Sequence, residues 1–268
     1  MTPPVALTIA GSDSGAGAGI QADLKVFAAL RTYGVSVVTA VTAQNTRGVN
    51  DVYPMPGTVV AGQLNAVLDD IRVAATKVGM LATAEAAATV AAKARAGALP
   101  NLVLDPVLAS SSGRRLGVVA AIERLLPYAT VATPNREEAS ALLGWQVSTA
   151  ADMAGAAGQL AAAGPKYVVI TGGDMVTGEE SVDAVWSENG ARFLHLPRIV
   201  TRNTHGTGCT FSAAIAARLA LGDAPSDAIS FAKQYVASAL TGARSWNIGT
   251  GRGPVDHFGW GSARLDHQ

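Results

Sequence analysis

Short β-branched and apolar runs alternate along the chain with longer Ala- and Leu-rich runs at helical spacing. Val5-Ala6-Leu7-Thr8-Ile9-Ala10 predicts a strand and Gly11 to Gly19 a loop. Ile20 to Leu30 then predicts a helix with Leu24, Phe27 and Leu30 on one stripe. Val35 to Thr42 predicts the second strand, with Gln44 and Asn45 just past its end. A helix follows near Thr58 to Leu68, a strand over Thr76 to Met80 and an Ala-rich helix from Thr83 to about Ala96. Leu102-Val103-Leu104-Asp105 predicts a strand ending in a carboxylate before Pro106, and Ser110 to Arg115 a basic loop. Thr130-Val131-Ala132 leads into Thr133-Pro134-Asn135-Arg136-Glu137-Glu138, a helix opening with acids in its first turn. Tyr167 to Ile170 runs into Thr171-Gly172-Gly173-Asp174. Val182 to Leu196 predicts a hairpin turning at Asn189-Gly190, hence antiparallel strands at a sheet edge. Two helices close the pattern, one reaching Leu221 and one from about Ser226 to Arg244. Such alternation implies an α/β fold: a largely parallel sheet with helices on both faces and ligands beyond the carboxyl ends of its strands.

Composition narrows this picture. The chain has 268 residues, 49% hydrophobic, enough for a sizeable core, and no linker or composition break divides it, so one domain over 1–268 is expected. Twenty basic residues cancel twenty acidic ones, which removes the global field that draws nucleic acid or anionic membrane and favours a small-molecule partner. No run approaches the roughly 18 apolar residues of a membrane span. The N-terminus lacks a basic leader region, and one cysteine cannot form an internal disulfide, which fits a reducing cytoplasm.

The richest chemistry lies in Asn203-Thr204-His205-Gly206-Thr207-Gly208-Cys209-Thr210, which runs straight into an Ala-rich helix. The first N–H groups of a helix lack internal partners and carry partial positive charge, so that end attracts anions. Gly206 and Gly208 allow φ > 0 or close approach of a ligand, and their N–H groups can form a concave nest for phosphate oxygens. Cys209, the single cysteine, would sit in the first turn, where the dipole lowers a thiol pKa and favours thiolate. A base beside a bound phosphoryl group is what deprotonation of an attacking alcohol requires. Two other phosphate sites fare worse. Gly17-Ala18-Gly19-Ile20-Gln21-Ala22 fits a loose dinucleotide fingerprint, but no acid between Lys25 and Asn50 could hold a ribose, which disfavours an oxidoreductase. A P-loop needs Gly-Lys, and none of the five lysines follows a glycine.

Several segments together, in order from about Leu7 to Phe258, resemble the hydroxymethylpyrimidine/phosphomethylpyrimidine kinases of thiamine biosynthesis, in the ribokinase superfamily. They are Ala10-Gly11-Ser12-Asp13, Gly19 to Lys25, Gln44-Asn45-Thr46, Lys77-Val78-Gly79-Met80-Leu81, Asp105-Pro106-Val107, Thr133-Pro134-Asn135 with Glu138, and Asn203 to Thr210. The resemblance implies a three-layer α/β/α sandwich, mostly parallel with an antiparallel edge, in a homodimer. It also implies two successive ATP- and magnesium-dependent phosphorylations of an aminopyrimidine, first on its hydroxymethyl group and then on the monophosphate. By position it makes Cys209 the catalytic cysteine, with Gly206 and Gly208 in the nest. Gln44 would read the aminopyrimidine edge, since an amide offers both donor and acceptor. Asp23 would lie near the substrate, with Gly11, Met80 and Val107 lining the pocket. Asn135, Glu138, Thr171, Thr204 and Thr207 fall to the nucleotide, and Asp105 and Glu138 to magnesium.

The chain departs from the family at three places. Gly15-Ala16-Gly17 replaces Ser-Gly-Gly, Ser111 stands where many relatives carry lysine, and Thr171 replaces a common lysine. Losing those cations weakens phosphate screening, for which Arg114 and Arg115 could compensate. A pyridoxal kinase of the same superfamily and a non-catalytic pyrimidine-binding protein are the alternative readings.

Overall fold

The computed structural model describes residues 2–108, 117, 119–173, 175 and 178–261. Its elements are β1 (Val5–Asp13), α1 (Gly19–Ala29), β2 (Tyr33–Asn45), β3 (Gly48–Pro54), α2 (Gly57–Leu68), β4 (Ala75–Val78), α3 (Ala84–Arg95) and β5 (Leu102–Leu104). These are followed by α4 (Val119–Glu123), β6 (Val131–Ala132), α5 (Arg136–Leu143), α6 (Ala150–Ala161), β7 (Tyr167–Ile170), β8 (Glu180–Ser187), β9 (Gly190–Pro197), α7 (Thr207–Ala220) and α8 (Pro225–Gly242). The predicted basic loop, with Ser111, Arg114 and Arg115, lies outside the described residues, as does Asp174.

Among the described residues, nine strands join one sheet in the order β3-β2-β1-β4-β5-β6-β7-β8-β9. The six strands from β2 to β7 pair in parallel. Both margins are antiparallel, β3 on one side and the β8–β9 hairpin on the other. The sequence predicts only the second margin. The β3 segment, Gly48-Val49-Asn50-Asp51-Val52-Tyr53-Pro54, places polar residues and proline where a strand pattern would need apolar ones, and an edge strand tolerates that.

Alternation along the strands builds two cores. Leu7, Ile9, Leu102, Leu104, Val168 and Ile170 face a cluster shared with α2 to α6. Ala6, Val103, Val131 and Val169 face the cluster shared with α1, α7 and α8. Helix α7 is buried from Thr210 to Ala217, and its run of alanines lets sheet and flanking helices approach its backbone closely. The three layers thereby hold the N-terminus of α7 at the carboxyl edge of the parallel strands.

Candidate active site

Asp13, the last residue of β1, organises the first loop. Its carboxylate accepts N–H groups from Gly15, Gly17 and Ala18 at 2.8, 3.1 and 2.9 Å. It also lies 2.8 Å from His205 Nε2, in the turn that opens α7. Burial raises its pKa, but the His205 bond and charge and the N–H donors outweigh that and hold the carboxyl below the usual range. Gln44, at the end of β2, brings its amide within 3.2 Å of the same His205 nitrogen. A Cβ on Gly11 would lie 2.1 Å from Met80 Cε, so the flexible end of that side chain would have to shift. Met80 packs against Gly11 and is nearly buried.

Beneath that surface lies a charge cluster. Lys77 Nζ, fully buried at the end of β4, is 3.0 Å from both oxygens of Asp23 and 3.5 Å from Asp105 Oδ2. Thr8 Oγ1 donates to Asp23 at 2.6 Å, and Ser212 Oγ donates to Asp105 at 3.0 Å. Burial opposes the ammonium charge of Lys77, but Asp23, Cys209 and Asp105 raise its pKa and keep it protonated. Burial pushes Asp23 up by more than the Lys77 charge and the Thr8 hydroxyl lower it. Both Asp23 oxygens are taken up by Lys77, one of them also by Thr8, and the side chain is shut off from solvent.

The N-terminus of α7 takes the expected form, with one change. Gly206 is the N-cap at φ +85°, and a Cβ there would sit 1.8 Å from the Gly17 carbonyl oxygen. That left-handed turn and close approach require glycine. Gly208 lies within the helix, where a Cβ would meet nothing within 4 Å, so its value is the open space above the helix end. Gly206→Ala is expected to cost at least about 1–3 kcal/mol of stability through backbone strain. It should also abolish nucleotide-dependent stabilisation, and thermal unfolding with and without ATP checks both.

Cys209 is partly exposed in the first turn, with the Gly19 N–H directed at its sulfur. The expected thiolate is overturned. Burial pushes the thiol up to about 12, with Asp105 and Asp23 adding to it, and together they outweigh Lys77 and the Gly19 N–H. Cys209 is therefore a thiol at rest. Thr207 Oγ1 donates to the Thr204 carbonyl at 3.2 Å and closes the turn. Asn203 is structural, donating to the carbonyls of Ala243 and Trp246.

The ends of β6 and β7 form the other flank. Asn135 and Glu138 make a reciprocal capping box on α5: Asn135 Oδ1 accepts the Glu138 N–H at 2.8 Å, and Glu138 Oε2 accepts the Asn135 N–H at 2.9 Å. Thr171 pairs alongside Asn135, its N–H donating to the Pro134 carbonyl at 3.0 Å. Gly172 N–H donates to Asp183 Oδ1, and Asp183 Oδ2 is 2.8 Å from Lys233 Nζ. Burial, helped by the charge of Asp105, pushes Glu138 up to about 8, although N–H groups of Asn135 and Leu108 act against this. Among the described residues no group of three or more His, Cys, Asp or Glu could hold a metal alone. Two neighbouring carboxylates instead suit magnesium, which keeps most of its waters and arrives with substrate phosphates. Val107 lies two residues beyond Asp105, its N–H donating to that residue's carbonyl at 2.8 Å.

The structure thus gathers Gly11, Gln44, Met80, Asp105, Asn135, Glu138, Thr171 and Gly206 to Cys209 on the carboxyl edge of one sheet. Asp13, Lys77 and His205 carry no predicted role. A signal for Lys77 exists: it is the one charge in the otherwise uncharged run from Val73 to Ala84.

An electropositive helix end over a partly accessible thiol, beside a paired Asn and Glu, defines a site for moving a phosphoryl group onto a small acceptor. The comparisons agree on the class and narrow it. A family model described as phosphomethylpyrimidine kinase matches residues 13–256, and the chain belongs to that family. A hydroxymethylpyrimidine/phosphomethylpyrimidine kinase from Streptomyces coelicolor is 47% identical over 264 residues, covering 97% of this chain and 96% of that one. A chloroplastic thiamine biosynthetic bifunctional enzyme from Arabidopsis thaliana is 47% identical over 261 residues. There the match takes in 95% of this chain, which spans only 50% of that relative's length. Among solved structures, pyridoxal kinase from Staphylococcus aureus in complex with AMP-PCP and pyridoxal superposes with a TM-score of 0.88. It is 37% identical and covers 100% of this chain and 97% of that one.

Proposed function

We propose that this chain uses ATP to phosphorylate 4-amino-5-hydroxymethyl-2-methylpyrimidine and then its monophosphate, giving the diphosphate used in thiamine diphosphate biosynthesis. The observation that carries this reading is the placement of Cys209. It lies in the first turn of α7, above the buried Lys77 and on the same sheet edge as the Gln44 amide. The N–H groups from Gly206 to Cys209 receive the γ-phosphate, and Asn135, Thr171, Thr204 and Thr207 line the path of the triphosphate. Gln44 holds the ring edge, with Gly11, Met80 and Val107 as walls. Asp105 and Glu138 would hold magnesium, which would supply positive charge against the triphosphate and against Asp105, one of the two carboxylates that oppose a Cys209 thiolate. With that positive charge in place the Cys209 thiol would release its proton to solvent, and the resulting thiolate takes the proton of the hydroxymethyl group as its oxygen attacks. The second acceptor, a phosphate monoester, is already ionised near neutral pH. In this reading the chain is one kinase domain acting as a homodimer, which suits the exposed Tyr33, Val41 and Tyr53 of the β2–β3 edge.

A pyridoxal kinase is the second reading, favoured by the structural likeness just described. Turnover of the hydroxymethylpyrimidine, its monophosphate and pyridoxal separates the two. Efficient use of the monophosphate supports the first reading, and pyridoxal turnover without it supports the second. The magnesium assignment carries a pH dependence. A proton occupies Glu138 below about 8 and competes with the cation, so Mg·ATP affinity should rise as pH climbs through that value and level off above it. Glu138→Gln should flatten this profile, measured as KM for Mg·ATP from pH 6.5 to 9.5.

A further inference from the structure

One further cluster joins three parts of the active-site edge through a single carboxylate. Asp13 holds the first glycine loop by three N–H groups and holds His205 by its Oδ2. Both side chains are nearly sealed from solvent, at 4% and 9% exposure, so water does not readily replace either partner. His205 in turn faces the Gln44 amide.

Counting protons orients that amide. A carboxylate offers only acceptors, so His205 Nε2 carries a hydrogen and directs it at Asp13. That one hydrogen is shared, as a three-centre bond, with the amide end 3.2 Å away, and an N–H there would meet it donor against donor, so that end is assigned as the carbonyl oxygen. The NH2 end then faces Thr42, whose Oγ1 lies 3.3 Å from that end of the amide. Thr42 is free to accept there, because its own hydroxyl hydrogen goes to the Ser12 carbonyl at 2.8 Å. Every donor meets an acceptor in this orientation, and the reverse sets donor against donor. One lone pair and one N–H of Gln44 are left for a ligand, in a fixed order.

We infer that His205, anchored by Asp13, is a positioning residue that fixes the direction of the Gln44 amide and so selects the donor–acceptor order of the substrate edge. This rests on the reading of Gln44 given under the proposed function. A 4-aminopyrimidine presents an amine donor beside a ring-nitrogen acceptor. The pyrimidin-4-one of the same shape presents a carbonyl acceptor beside a ring N–H donor, the reverse order. A locked amide distinguishes them, whereas a freely turning amide serves both.

The test compares kcat/KM for the hydroxymethyl 4-aminopyrimidine and its 4-oxo analogue in wild type, His205→Leu and His205→Gln. Wild type should favour the amino compound by about 10³-fold or more, as expected where a site built to hydrogen-bond meets mismatched polar groups. His205→Leu should bring the ratio below about 10, because the amide turns freely once its anchor is lost. His205→Gln keeps an N–H within reach and should restore most of the ratio. A purely structural role predicts equal losses for both compounds with the ratio intact, and that result overturns the inference, as does a His205→Gln enzyme as unselective as His205→Leu. If His205→Leu does not fold by thermal unfolding, His205→Met takes its place as the variant without an N–H, and an unchanged ratio there overturns the inference equally. A wild type that leaves the aminopyrimidine untouched instead defeats the functional reading itself.

Discussion

Cys209→Ala lowers the first phosphorylation by about 10²–10⁴-fold, the usual range for loss of a general base, and lowers the second by less than about 10-fold. The asymmetry follows from the acceptors. The hydroxymethyl group must lose a proton as it attacks, and Cys209 in the first turn of α7 is placed to receive it. The monophosphate attacks through an oxygen that is already charged. Rapid-quench assays with each acceptor, under saturating Mg·ATP, measure the two rates separately. Equal losses would mean that the sulfur only shapes the helix end. The resting thiol sharpens the expectation, because the thiolate forms only when added positive charge offsets burial and the two nearby carboxylates. The first step should therefore quicken with rising pH in wild type and lose that dependence in Cys209→Ala.

Lys77→Met should be the most destabilising of the changes considered. It removes the ammonium between Asp23 and Asp105 and leaves carboxylates unpaired in a fully buried place. Breaking a buried ion pair from one side typically costs about 3–5 kcal/mol. The sign with pH is definite. Without Lys77, Asp23 is raised further above its unfolded value, so the variant is most stable below the unfolded pKa and weakens as pH rises through the folded one. Lys77→Met/Asp23→Asn should recover part of the loss, because a neutral amide keeps the Thr8 contact and leaves one fewer buried charge. Denaturant unfolding at pH 5 and pH 8 measures both effects. A loss equal at the two pH values, or no recovery in the double variant, would point to lost packing in place of unpaired charge.

The parallel core was legible because its strands are short apolar runs between helical ones, and Tyr167–Ile170 matches its predicted strand residue for residue. The β3 margin was not, since an edge strand carries no clear alternation. Helices α4 and α6 also escaped, the first being five residues long and the second lying in an Ala- and Gly-rich stretch with little periodic contrast. At the site, Gly206 could be read because a positive φ before a helix leaves a mark in the sequence. The thiol state of Cys209 could not. The local pattern shows the dipole but not the carboxylates of Asp23 and Asp105, brought in from α1 and the end of β5. The Asp23–Lys77 pair was hidden for the same reason, as the two lie 54 residues apart in sequence. His205 was hidden because its role depends on two partners from other strands.

The most direct measurement is a crystal structure of the protein with the hydroxymethylpyrimidine and a non-hydrolysable ATP analogue. The hydroxymethyl oxygen should lie within hydrogen-bond reach of Cys209 Sγ, the ring edge on Gln44 and the γ-phosphate on the N–H groups from Gly206 to Cys209. A pyrimidine bound away from Gln44, or a triphosphate that bypasses the start of α7, would contradict the account.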